Sequence, residues 1–215
     1  MKKIIALALI GGFMTICNGQ SDASNCKDGR EVSTKTEHYC LVSVDNKEVK
    51  QGVYRAMHLD GSKKIEGEYT KGMMNGTWTY WSKNGKKIEV TEYKNDKKSG
   101  MSQAWSANSG KLIYKGGYKD GKPIGTHQKW YDDGKKLSEA VFTIKGDDTL
   151  MEEIHWHINN QKKAHYHYIN GQHDGSYERW FMDGKPQETG MYQKGKSVGE
   201  WKSWDNKGKE TVRTY

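Results

Sequence analysis

The 215-residue sequence contains only two prolines, three cysteines and three phenylalanines, and hydrophobic residues make up 33% of it. So thin a supply of aliphatic side chains excludes a large globular centre. Beyond residue 16 there is no apolar run, and the first one falls short of the roughly 20 residues that a membrane span requires. Catalytic signatures are missing too: there is no Gly-x-Ser-x-Gly elbow, no phosphate-cradling glycine loop followed by Lys-Ser/Thr, and no Cys/His pairing in a hairpin context. Glu152 and Glu153 are adjacent, so in a strand their carboxylates would point apart, the wrong arrangement for paired acid/base work. The chain therefore reads as non-catalytic, with no cofactor and no metal. What it does have is 13 tyrosines, 8 tryptophans and 25 glycines, an aromatic content too high for a disordered chain.

These residues are periodic. The stretch Gly76-Thr-Trp-Thr-Tyr-Trp81-Ser-Lys-Asn84-Gly85 returns about every 24 residues, with Met57, Trp105, Trp130, Trp156, Trp180 and Trp204 at the position of Trp81, so seven copies follow one another. Asn84-Gly85, Asp60-Gly61, Asp133-Gly134 and Asp183-Gly184 are dipeptides suited to a two-residue type I′ turn, which makes each copy a β-hairpin. A turn there pairs Trp81 with Ile88 and Gly76 with Tyr93. The same arithmetic pairs Gly52 with Tyr69, Gly100 with Tyr118, Gly125 with Phe142, Met151 with Tyr168 and Gly175 with Tyr192. A ring opposite a glycine can cover the bare backbone.

Glycine, aromatic, Asn/Asp-Gly and tyrosine at this spacing resemble the MORN repeat, in the tandem variant found in bacterial antitoxin-like proteins, over residues about 50–215. The resemblance implies an elongated sheet of consecutive hairpins and supplies no catalytic residue. The expected fold is all-β, an elongated single-sheet ladder of about seven tandem hairpins in which each copy touches only its neighbours. Fourteen strands at about 4.8 Å would make it roughly 65 Å long.

Strand alternation sorts the rings onto two faces. Trp81, Trp105, Trp130, Trp156, Trp180 and Trp204 share one face with Ile88, Ile113 and Leu137 and read as structural anchors packed between hairpins. The Gly/Tyr face carries the repeating tyrosines and, less regularly, Tyr54, Trp78, Tyr131, Tyr177, Phe181 and Trp201 beside basic residues such as Lys129 and Arg179. Irregular aromatics mixed with charge suggest a recognition surface, so these six are the candidate binding residues. The repeat breaks once, at 143–150, where a junction two residues longer than the others is followed by a copy lacking both glycines; a bulge or bend is expected there. That copy also carries His155, His157, His165 and His167. Four imidazoles invite a zinc or copper site, but the hairpin pairing puts His165 on the Trp face and His155 on the other, so the four cannot converge. Each face keeps two, with Glu152 beside His167.

Residues 1–19 have the anatomy of an export signal: Lys2 and Lys3, an apolar run from Ile4 to Ile16, and small residues before Gln20. A competing reading, acylation of Cys17 in a lipoprotein, meets a large β-branched Ile16 where a small residue is needed. Export leaves Cys26 and Cys40, an even pair in an oxidising compartment, so a disulfide is expected in the 20–49 segment. The formal charge of +8, less Lys2 and Lys3, leaves +6, which suits an envelope protein partner, a glycan or an anionic membrane surface; export argues against nucleic acid. The function read from the sequence is an exported, periplasmic or secreted interaction scaffold or antitoxin/immunity-like binder. The alternative is a carbohydrate or cell-wall module whose exposed rings stack on sugars.

Overall fold

A computed structural model describes Cys26 and residues 29–215; the export signal, Cys17 and the Gln20 cleavage point lie outside the described residues. Every helix or strand among them is a strand. In chain order these are β1 (Arg30–Ser33), β2 (Glu37–Val44), β3 (Lys47–Met57), β4 (Lys63–Thr70), β5 (Met73–Trp81), β6 (Lys87–Lys94), β7 (Lys97–Trp105) and β8 (Leu112–Lys119). There follow β9 (Lys122–Trp130), β10 (Lys136–Lys145), β11 (Asp148–Trp156), β12 (Lys162–Ile169), β13 (Gln172–Trp180), β14 (Pro186–Gln193), β15 (Lys196–Trp204) and β16 (Glu210–Thr214). Each pairs with its sequence neighbours, giving one open antiparallel sheet of 16 strands without a crossover. The count exceeds the fourteen expected because β1 and β2, from the 20–49 segment, extend the same sheet. The Cys26–Cys40 disulfide, with Cα atoms 5.5 Å apart, fastens the chain ahead of β1 to β2.

The glycine–aromatic pairs stand as expected: Gly52 opposite Tyr69, Gly76 opposite Tyr93, Gly100 opposite Tyr118, Gly125 opposite Phe142, Met151 opposite Tyr168 and Gly175 opposite Tyr192. The pairing of Trp81 with Ile88 is corrected, because Trp81 stands opposite Lys87. The cause is the turn. Ser82 N–H donates to Lys86 O and Gly85 N–H to Ser82 O, both at 2.9 Å, and Gly85 alone of the loop has positive φ, at 76°. This is a three-residue loop with a glycine bulge, not the two-residue turn that Asn84-Gly85 suggests, and its odd count shifts the register by one. Two-residue turns with both φ positive close the opposite border instead, as at Lys71-Gly72 (51° and 82°) and Asp120-Gly121 (50° and 83°).

Glycine at position 76 answers a backbone need. With φ at 69°, Gly76 lets β5 bulge against β4, where the register jumps between Glu66–Thr79 and Glu68–Asn75. A Cβ on Gly76 would meet nothing within 4 Å, so the tyrosine opposite it is a partner in register and not a cover. The 143–150 irregularity reverses the expectation of a bulge. Met151 replaces the glycine, and β10 and β11 pair without a shift from Ser138–His155 to Lys145–Asp148. The hairpin is longer there because its bulge is lost.

Burial reverses the roles assigned to the two sets of rings. Down the centre of the Gly/Tyr face runs one line of side chains in which large and small alternate across neighbouring strands. Tyr54 stands opposite Gly67, Trp78 opposite Thr91, Ser102 opposite Gly116 and His127 opposite Ala140. Trp78 is 2% exposed, and Tyr54 and Trp201 are 7% exposed. A Cβ on Gly67 would lie 2.2 Å from the Trp78 indole, and one on Gly190 would lie 2.2 Å from that of Trp201. Tyr69 meets Trp78 edge-on at 5.0 Å, and Tyr192 meets Trp201 at 4.9 Å. Where rings are absent, Thr91 Oγ1 and Ser102 Oγ share a hydrogen bond of 2.7 Å in full burial. A buried indole removes about 150–250 Å² from water, or on the order of 4–6 kcal/mol at about 25 cal/mol per Å². The core is this line. The six tryptophans at the Trp81 position are only half-buried.

Candidate functional site

In three copies the first loop residue after the anchor position carries a side chain that reaches the next hairpin. His58 Nε2 lies 3.1 Å from Trp81 O, Tyr131 O–H donates to Trp156 O at 3.0 Å, and His157 Nε2 lies 2.9 Å from Trp180 O. Phe181 occupies the same place in its copy and has no donor. Its loop is nevertheless closed by the same pattern, with Phe181 N–H on Lys185 O and Gly184 N–H on Phe181 O at 2.9 Å. Asp183 Oδ1 accepts Lys185 N–H at 3.1 Å, which with the Lys185 side chain holds the Asp183 carboxyl below its ordinary pKa. A groove of about 410 Å³ lies between this loop and the following one, lined by Phe181, Met182, Pro186 and Trp204 and edged by Asp183, Lys185 and Asp205. Met182 is 54% exposed.

The six residues taken from the sequence as a binding surface do not form one. Tyr54, Trp78 and Trp201 are buried in the core line. Tyr54 O–H donates to Glu37 Oε1 at 2.7 Å, and burial raises its pKa. Tyr177 stacks on Tyr166 at 5.1 Å and leans on Trp201 at 5.3 Å; burial pushes its hydroxyl up to about 12. Tyr131 is tied to its neighbouring loop, and Phe181 alone of the six lines the groove.

The Trp face is the solvated one. Lys63 stands over Trp81 at 4.9 Å, Lys136 over Trp156 at 5.0 Å and Lys162 over Trp180 at 5.9 Å, cation–π contacts that leave the indoles half-exposed. The strand partners of Trp81, Trp105 and Trp130 are Lys87, Leu112 and Lys136, so Ile88, Ile113 and Leu137 stand one residue off direct register with the anchors. Successive anchors are two strands apart, about 9.6 Å.

A third feature carried no signal in the sequence. Midway along the core line, a hollow of about 230 Å³ is bordered by Tyr114, Tyr118, His127, Phe142, Met151 and Glu153. Tyr114 O–H is 2.7 Å from Tyr118 O–H and 3.0 Å from His127 Nδ1, while His127 Nε2–H donates to Gly117 O at 2.8 Å. Burial lowers the His127 pKa, and the backbone acceptor fixes the tautomer. Only the alternation of ring size across strands could have shown this hollow, and that needs the register first.

The histidines separate as their pairing requires. His155 stands opposite Ala164 and bonds Glu153 at 3.1 Å, whereas His165 stands opposite Ile154. Glu152 stands opposite His167, but its carboxylate reaches His165 at 2.8 Å. No protein-family model matches the chain, and no curated protein matches it.

Proposed function

We propose that the protein is an exported, non-catalytic repeat protein of the MORN type that binds a protein partner in the cell envelope, in the manner of an antitoxin or immunity factor. The observation that carries this reading is the groove of Phe181, Met182, Pro186 and Trp204, an apolar floor with a charged edge on otherwise polar loops. It has the size to take a partner's apolar side chain. The Cys26–Cys40 disulfide supports an oxidising, exported setting. A second reading, a cell-wall carbohydrate module, is favoured by the row of half-exposed indoles spaced about 9.6 Å apart, which suits an extended, repetitive ligand.

The deciding experiment compares retention of envelope proteins and co-sedimentation with insoluble cell-wall polysaccharide. The protein reading expects a retained partner whose affinity falls at least about tenfold, or 1.4 kcal/mol, in Phe181→Ala with Met182→Ala. Binding to polysaccharide that is lost in Trp105→Ala with Trp130→Ala, and untouched by the groove variant, would favour the second reading and overturn the first.

A further inference from the structure

The copy that departs from the repeat changes the chemistry of one spot on the Trp face. In the first complete hairpin Glu66 is held there by Arg55 at 2.9 Å and Lys63 at 3.1 Å; in the fourth, Glu139 is held by Gln128 at 2.8 Å and Lys136 at 2.9 Å. In the departing copy His165 replaces the carboxylate and Ile154 replaces the residue opposite it, while Lys162 lies over Trp180 as Lys63 and Lys136 lie over Trp81 and Trp156. Two carboxylates then approach the imidazole: Glu152 Oε1 is 2.8 Å from His165 Nε2, and Glu178 Oε2 is 3.4 Å from His165 Nδ1. His167 lies alongside, with ring centroids 4.7 Å apart.

We propose that Glu152, His165 and His167 bind a divalent transition-metal ion of the zinc or copper class. One donor atom from each lies within 4.8 Å of the other two. A tetrahedral ion with bonds of about 2.0–2.2 Å places its ligand atoms about 3.3–3.6 Å apart, so small side-chain rotations complete the set. The second nitrogens are already engaged in the way metal-ligating histidines require. His167 Nδ1 is 3.2 Å from Ser176 O and 3.0 Å from Ser176 Oγ. The carbonyl can only accept, so Nδ1 carries the proton and Nε2 keeps its lone pair. Glu178 Oε2, 3.4 Å from His165 Nδ1, stands where it can take the same part, and His165 Nε2 faces Glu152 Oε1 at 2.8 Å.

The surroundings fit access and size. The His165 side chain is 18% exposed and that of Glu152 50% exposed, so the site opens to solvent, with a fourth position for water. Gly175 makes room: a Cβ there would come 3.0 Å from the His167 Cβ. Two imidazoles with one carboxylate favour zinc or copper over magnesium or calcium, which prefer all-oxygen sets. The site is on the solvated Trp face, apart from the loop groove.

The test is titration of the purified, metal-stripped full chain with zinc(II) against a chromophoric chelator, read together with thermal melting. One zinc per chain is expected, with magnesium failing to compete. Glu152→Gln and His167→Gln should each weaken binding at least about tenfold, and Glu178→Gln should weaken it about 10–100-fold through His165. His173→Gln, in the tyrosine stack of the other face, should leave it unchanged. Glu152 is exposed enough for its replacement to leave the melting temperature of the metal-free chain in place, which separates loss of a ligand from loss of fold. The proposal is overturned if no stoichiometric zinc binds, or if Glu152→Gln and His167→Gln bind zinc as the unaltered protein does.

Discussion

Trp78 lies across the bare backbone of Gly67, so closely that a Cβ on residue 67 would come 2.2 Å from the indole. This glycine serves a neighbouring side chain, whereas Gly76, with φ at 69° and open space beside it, serves its own backbone. The two should respond differently to substitution. Gly76→Ala should cost about 1 kcal/mol, and Gly76→Asn less, because asparagine tolerates the left-handed region. Gly67→Ala should cost about 1–3 kcal/mol through overpacking, and Gly67→Asn more still. Chemical unfolding of the four variants checks this; asparagine improving on alanine at position 67 would contradict it.

The period, the hairpins and the pairing of Gly76 with Tyr93 were legible because strand pairing is fixed by arithmetic once a turn is located. The turn type was not legible. Asn84-Gly85 satisfies a two-residue turn equally well on composition, and only the Ser82–Lys86 hydrogen bond separates the two. The choice of core face failed for a physical reason. In a sheet one layer thick, burial comes from neighbours in the same sheet, so Trp78 is buried by having Gly67 beside it, and the regularity of Trp81 says nothing about depth. The placing of Glu152 beside His167 was legible from the hairpin arithmetic, but Glu178 was not, since it meets His165 only across β12 and β13.

Stability should fall on mild acidification. Burial holds the His127 pKa below its ordinary 6.5, and burial does the same to His173. The unfolded chain therefore takes up these protons first, so their share of stability is complete above about pH 6.5 and is lost as the pH falls below it. Urea midpoints at about pH 7.5 and 5.5 should differ in the unaltered protein and converge in His127→Gln with His173→Gln. An unchanged difference in the variant would assign the effect to other groups.

The Cys26–Cys40 bridge closes a separation of 14 residues, for which the chain-entropy estimate is about 3 kcal/mol. Cys26→Ala with Cys40→Ala should lose about 2–3 kcal/mol, and reductant should lower the unaltered protein to the same level. If reduction leaves the urea midpoint in place, the staple contributes nothing to the sheet.

The groove should be functional without being structural. Phe181→Ala with Met182→Ala removes half-exposed or exposed side chains, so its unfolding midpoint should stay within about 0.5 kcal/mol of the unaltered value while partner retention falls. A variant that unfolds with its binding would leave the groove as packing.

The arrangement of large rings over small neighbours is tested most directly by comparing Trp78→Ala with Trp81→Ala in urea. The first residue is 2% exposed and belongs to the core line; the second is half-buried under Lys63. Trp78→Ala should lose about 3–5 kcal/mol and Trp81→Ala clearly less, about 1–2 kcal/mol on the smaller area it buries. Equal losses, or a larger loss at Trp81, would contradict the assignment of the core to the Gly/Tyr face.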